Sequence, residues 1–278
     1  MNSAMQASIT LGAMMSLCAL IACAPGSSRT ARTKAPATSR ATASASSSGL
    51  ELVRWYIPAA AAARRDAIAR LIELHLATRV ESPLSSNGIT LLRAKSAQLA
   101  EIVHELGTSL AARRTVLGQA NSFADLSTIE LEAGTTVMTS GRPEKTEGAL
   151  TRFAVRGWCF PTVEGACARV ELLLGETPTR LTSVAIDPSE VRERTREIAG
   201  GSMTLELEAD EALLLMETPL VFDDADADDG PVVIPPPTRG SLLFSGAPFS
   251  DRALVLVIEP TFADMVPQAA RTATPPKP

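Results

Sequence analysis

The stretch that most constrains this chain is Leu150 to Leu174, LTRFAVRGWCFPTVEGACARVELLL. Phe153, Val155, Trp158 and Phe160 in one arm, and Val170, Leu172 and Leu174 in the other, are strand formers, and Pro161-Thr162-Val163-Glu164-Gly165 between them is turn-forming. The pattern predicts a β-hairpin. Cys159 and Cys167 are equally far from Val163, so arms folded about that residue place the two sulfurs near opposite cross-strand positions. A disulfide is expected there on that geometry, the alternative being two unrelated buried thiols. Sheet should dominate the chain beyond the hairpin, and a small α/β unit should precede it.

The chain opens MNSAMQASITLGAMMSLCALIAC, with an apolar core from Ile9 to Ala22 and no charged side chain before Cys23. A permanent bilayer span needs about 20 apolar residues, so this shorter core suits the h-region of an export signal. Leu20-Ile21-Ala22-Cys23 resembles the lipobox of bacterial lipoproteins. That resemblance implies cleavage before Cys23, acylation of Cys23, and a chain attached to a membrane and facing the periplasm. An ordinary secretory signal and an uncleaved anchor are the alternatives. On this reading Cys18 leaves with residues 1–22, Cys23 carries lipid, and Cys159 and Cys167 form one remaining pair in an oxidising compartment.

From residue 23 to 48 the chain is rich in Ser, Thr, Ala and Pro, with Arg29, Arg32, Lys34 and Arg40 and no acid. Such a segment cannot bury enough surface to offset its ordering entropy and reads as a disordered tether. Its basic charge suits anionic lipid headgroups, and a plain solvated spacer is equally consistent with it. Every acid lies from Leu50 onward, so the folded region is more negative than the net charge of −5 of the whole chain. No nucleic-acid footprint is present in that balance. Aromatic residues make up only 4% of the chain, which disfavours sugar-binding or base-stacking surfaces.

Leu50 to Ile57 alternates as a strand. Ala59 to Leu76 has Ala63, Ala67, Ile68, Leu71 and Ile72 at helical spacing. Thr78 to Ser82 and Ile89 to Arg93 are strands about a tight Ser85-Ser86-Asn87-Gly88 turn, and Ser96 to Leu106 is a second helix stopped by Gly107. Strand, helix, strand, strand, helix over 49–107 resembles the βαββα modules of ring-building and secretin N-domain type in envelope machines. Residues 108–125 read as a connector with a helical turn near Leu110 to Val116. From Leu126 to residue 262 the period of two predicts a β-rich, mainly antiparallel domain. Its expected parts are a hairpin of Ser127–Glu132 with Thr135–Thr139, the opening hairpin, and a strand at Arg180–Ile186. A charged helix at Pro188–Ile198, a strand pair Ser202–Glu208 with Ala212–Met216, a strand at Gly240–Gly246 and an apolar strand Ala253–Glu259 complete it. Residues 263–278 form a disordered Pro-rich tail. Phe153–Thr162, Leu205–Met216 and Leu254–Pro260 together resemble a reduced secretin C-terminal domain, which implies a place in protein secretion. The fold class expected is α+β.

Few residues point to chemistry. Asp223-Asp224-Ala225-Asp226-Ala227-Asp228-Asp229-Gly230 fails the EF-hand spacing, because glycine falls at loop position seven and Pro235 stands where a bidentate Glu is required. It reads as a solvated loop running into Pro235–Pro237, and no metal is expected. His75 and His104 fall near helix ends, where imidazolium suits the carbonyls. Asp66 and Glu73 share a helix face without a further partner, and Arg64-Arg65 and Arg113-Arg114 read as solvated basic pairs. No catalytic motif occurs in a plausible setting, so no cofactor and no enzyme activity are expected. The sequence supports a structural or adaptor component of an envelope assembly, held to the lipid membrane through acylated Cys23 and contacting other envelope proteins or itself. The alternative is a lipoprotein that captures a small molecule or peptide in its β-domain.

Overall fold

The structure, a computed structural model, describes residues 48–107, 113–163, 165–178, 195–219, 235–245, 251–263 and 265. All of them belong to one compact unit, Ala43–Pro278. The signal segment, Cys23, nearly all of the tether, the predicted strand at Arg180–Ile186, most of the predicted helix after Pro188, the acidic run and nearly all of the tail lie outside the described residues.

Strand β1 is Gly49–Pro58, followed by helix α1, Ala61–Glu73, and β2, Ala77–Val80. A 3-10 turn, Pro83–Asn87, leads into β3, Ile89–Lys95, and a second, Ser96–Gln98, into α2, Leu99–Glu105. Then come β4, Arg113–Gly118; β5, Ala120–Leu131; β6, Thr136–Thr139; β7, Arg142–Lys145; β8, Ala149–Thr162; β9, Gly165–Pro178; β10, Arg196–Glu208; and β11, Glu211–Glu217. Helix α3, Arg239–Ser245, and β12, Arg252–Thr261, complete the described elements. The result is a β-rich α+β fold whose strand pairings are antiparallel throughout the described ladders.

Three layers follow from the patterning. The central layer is a six-stranded sheet in the order β2-β3-β11-β12-β1-β4, and the second is a four-stranded sheet, β10-β9-β8-β5. Helices α1 and α2 cover the first face of the central sheet, where Ala67, Ile68, Leu71 and Ile102 meet Trp55, Leu92, Leu214 and Val257. The four-stranded sheet covers the second face, where Phe153, Val170, Leu172 and Leu207 meet Leu52, Leu91, Leu215 and Ile258. Strands buried on both faces read as continuous apolar runs rather than alternating ones. That is why Ala212-Leu213-Leu214-Leu215-Met216 and Ala253-Leu254-Val255-Leu256-Val257-Ile258 are the central pair, β11 and β12. Each fully buried leucine there contributes about 2 kcal/mol of transfer free energy.

The elements of 49–107 occur in the expected order, but they do not make a sheet of their own. Strands β11 and β12 lie between β3 and β1, so the early and late parts of the chain share one sheet. Ser202–Glu208 and Ala212–Met216 are strands as expected, yet not a hairpin: β10 belongs to the four-stranded sheet and β11 to the central one. The physical reason is patterning, since Met203-Thr204-Leu205-Glu206-Leu207-Glu208 alternates and can face solvent on one side, whereas the run after Glu211 cannot. Likewise β5 pairs with β8, while β6 pairs with β7 about Ser140-Gly141, so the turn at Ala133-Gly134 joins strands that are not partners. The expected connector holds β4 and the start of β5, with Val116 and its neighbours extended rather than helical.

The predicted strand at Gly240–Gly246 is not found: its described part, 240–245, lies in helix α3. Thr238 begins the helix, its hydroxyl accepting from the Ser241 N–H at 3.0 Å, and Leu243 and Phe244 fall into the core, with Phe244 and Phe153 ring centroids 5.7 Å apart. A short apolar run cannot be assigned to helix or strand by periodicity alone. Packing decides this one, because a Cβ on Gly240 would lie 2.1 Å from the Gly88 carbonyl oxygen, so the helix start seats directly on the backbone of the 3-10 turn's end.

Candidate functional site

The hairpin of β8 and β9 has the expected strands but not the expected register. Thr162 pairs with Gly165, Phe160 with Cys167, and Cys159 with Ala168. A shift of one residue moves a side chain to the other face of a sheet. Cys159 therefore turns inward, among Leu50, Val170 and Leu207, while Cys167 turns outward beside Glu208. Both are free thiols, which corrects the expected disulfide. The Cys159 sulfur lies 3.5 Å from the carbonyl oxygens of Gly49 and Thr261, and burial pushes its thiol pKa up. The Cys167 thiol is also raised, first by burial and then by Glu206 and Glu208.

The same alternation defines the outer face of the four-stranded sheet. Arg152, Ala154, Arg156, Trp158 and Phe160 of β8 point away from the core, opposite Gly175, Leu173, Glu171, Arg169 and Cys167 of β9. No described helix covers this face, in contrast to the helical side of the central sheet. It carries aromatic rings held by cations: the Arg156 guanidinium lies 4.7 Å from the Phe123 ring centroid and the Arg169 guanidinium 5.8 Å from that of Trp158. Such contacts are worth about 0.5–1 kcal/mol when exposed. Arg156 also donates to Glu171 at 2.6 Å.

At the β5 end of the face lies a half-open cleft of about 260 Å³ between Phe123, Arg152, Ala154, Arg156, Leu173 and Thr195. Arg152 is 4% exposed, and its Nε and Nη2 both donate to Asp125 Oδ1, at 2.9 and 2.5 Å. Its Nη1 donates to Thr195 Oγ1 at 2.7 Å.

Elsewhere the predicted residues are scattered. Asp66 is exposed beside Arg65, and His75 sits in a left-handed turn with φ 54° just beyond α1. His104 is in the last turn of α2. Arg64 is not a solvated charge: it is buried in an ion pair with Glu217 at 3.0 Å. Arg114 joins Glu51 at 3.1 Å and reaches Glu259 at 3.9 Å. Glu51 and Glu259 are directly opposed across β1 and β12, and burial raises the Glu259 pKa, with Arg114 opposing and Glu51 reinforcing. Among the described residues, no group of three His, Cys, Asp or Glu is placed to hold a metal ion, and no helix is long and apolar enough to cross a membrane.

Sequence reasoning passed over Phe123, Arg152, Arg156 and Thr195. A signal existed: Arg152, Ala154, Arg156, Trp158 and Phe160 recur at every second position, which in a strand is one face. No protein-family model, curated protein or solved structure matches the chain.

Proposed function

We propose that the protein is a lipoprotein anchored to a membrane through acylated Cys23, facing the periplasm, and acting as a structural or adaptor component of a bacterial envelope assembly. The observation that carries this reading is the Trp158 and Phe160 end of the outer face of the four-stranded sheet, which no described helix covers. Phe123, Trp158 and Phe160 are half-buried on that face among Arg156, Arg169 and Glu171 in a chain with few aromatic residues. Aromatic and arginine side chains are the groups enriched at protein–protein contacts. Within this reading, 49–107 is a βαββα module opened to admit β11 and β12, and kinship with secretin-type proteins of the secretion apparatus is the source of that element order. Docking through a face fits better than docking through a strand edge, because β2 is short and the ladders that hold β4, β5 and β10 each contain a register shift.

The test separates anchoring from assembly. Cys23→Ala should move the chain out of the membrane fraction; unchanged fractionation would remove the lipid anchor from the proposal. The double variant Trp158→Ser/Phe160→Ser should lower the apparent mass of the detergent-solubilised full chain on native electrophoresis. Identical monomeric migration of both forms would remove the adaptor role. The competing reading, a lipoprotein that captures a small molecule or peptide in its β-domain, is favoured by one observation, the cleft beside Arg152 and Arg156.

A further inference from the structure

Three features of the cleft bear on what it would hold. Its floor is apolar and its size small: Ala154 and Leu173 lie at the bottom of about 260 Å³, just below the usual range for small-molecule sites, which suits a single side-chain-sized group. Two guanidinium groups line it from the same face of β8, four residues apart with Ala154 between them, their backbone positions roughly 13 Å apart along the strand. Arg152 is not used up by its partners. A guanidinium has five N–H groups, and the bonds to Asp125 and Thr195 engage three of them.

The second guanidinium is held differently. Arg156 stacks on Phe123 on one side and is oriented by Glu171, with 38% of its side chain left exposed. Its planar fork is therefore fixed before any ligand arrives, so little rotamer entropy is lost in forming a new bond. The neighbouring carboxylates Asp125 and Glu171 neutralise the two guanidiniums, which lets two like charges share a half-buried face. A ligand that uses the remaining N–H donors must offer acceptor oxygens together with apolar surface for the floor, and a carboxylate supplies the strongest such acceptor. Carboxylate meets guanidinium in a planar, charge-assisted pair, and the apolar floor strengthens it by excluding water.

We propose that this cleft binds a carboxylate attached to a short apolar group, as in a free branched organic acid or the C-terminal residue of a peptide. The proposal rests on the second of the two functional readings, ligand capture in the β-domain, and is indifferent to what docks on the rest of the face.

The test is ligand-observed NMR on the full chain in detergent, with empty micelles as the blank. The probes are N-acetyl-leucine, its amide, 4-methylpentanoic acid and a four-residue alanyl peptide ending in leucine. N-acetyl-leucine should saturate with a Kd on the order of 1 mM or below, and its amide should bind at least about 10-fold more weakly. Arg156→Gln, on a half-exposed side chain, should weaken the acid by about 10-fold and leave the amide unchanged. Ala154→Leu, which fills the floor, should abolish binding of both. Equal binding of acid and amide, or an acid affinity untouched by Arg156→Gln, would overturn the carboxylate assignment while leaving ligand capture standing. No saturable binding of any probe up to about 10 mM would overturn both. Tighter binding of the peptide than of 4-methylpentanoic acid identifies a chain terminus as the source of the carboxylate, and the reverse order identifies a free acid.

Discussion

At the scale of single residues, Asn87 does more than turn the chain. It is fully buried, and its side-chain amide donates to the carbonyls of Ala199 at 3.0 Å and Gly200 at 3.2 Å while its oxygen accepts from the Ser140 N–H at 3.3 Å. One side chain thus ties the 3-10 turn before β3 to the irregular segment of β10 and to the β6–β7 turn. Asn87→Ala leaves buried backbone groups without partners and should cost about 2–4 kcal/mol in urea unfolding; a loss below about 0.5 kcal/mol would show that water replaces the amide. The sequence marked Asn87-Gly88 as a turn, and Gly88 does adopt a left-handed φ of 80°. It could not show that the amide is spent on residues more than fifty positions away. Glu259 makes a second prediction. Its folded pKa is raised, so the proton is held more tightly in the folded chain than in the unfolded one, and the stability this adds at low pH is lost as pH rises through the folded value. Glu259→Gln should therefore be more stable than the parent at pH 8, with the difference shrinking toward pH 4 in urea titrations.

Elements show how the sheets are ended. The ladders β1–β12, β11–β12, β11–β3 and β8–β9 run without a register shift, whereas β1–β4 and β9–β10 each contain one and β5–β8 contains two. Every irregular pair includes an edge strand, and the fourth edge, β2, is only four residues long. Bulges, short edges and charges on edges are the means by which sheets avoid pairing with other chains. Arg113 and Arg114 supply the charge on β4. The variant Arg113→Thr/Arg114→Thr should accordingly raise concentration-dependent light scattering, and an unchanged signal would assign the protection to the register shift at Leu50/Glu51 alone. Helix α3 is held by a comparable device: Arg239, 2% exposed, binds Glu176 and reaches Thr151 at 3.3 Å and Thr139 at 3.2 Å. Arg239→Met strands a carboxylate and should cost about 3–5 kcal/mol in urea unfolding. The anchoring of α3 was not legible in the sequence. Leu242-Leu243-Phe244 is as good a strand as a helix, and the partners of Arg239 are 63 to 100 positions distant.

For the whole molecule, the sequence was most informative where one face or both faces of an element had to be buried. The alternating arms of β8 and β9, the helical spacing of α1, and the unbroken apolar run of β12 were all readable. What could not be read was which strands are neighbours, because β1 and β3 find their partners more than one hundred residues later, in β12 and β11. Long-range pairing leaves no local trace. It does leave a measurable consequence: a fragment covering 48–112 lacks the two strands that join its halves and should show no cooperative thermal transition by circular dichroism. A sharp transition would restore the idea of a self-sufficient module.

The described fold also begins and ends at one corner, with Gly49 paired directly to Thr261. Force applied between the two ends of this domain would act on a single ladder, β1 against β12, from its terminal rung. Antiparallel strands loaded in that way separate rung by rung, as a zipper does, and yield at low tension. A load taken instead between Gly49 and the outer face of the four-stranded sheet would strain many rungs together. A domain with this pairing is thus mechanically polarised: weak if pulled between Gly49 and Thr261, strong if held by its face.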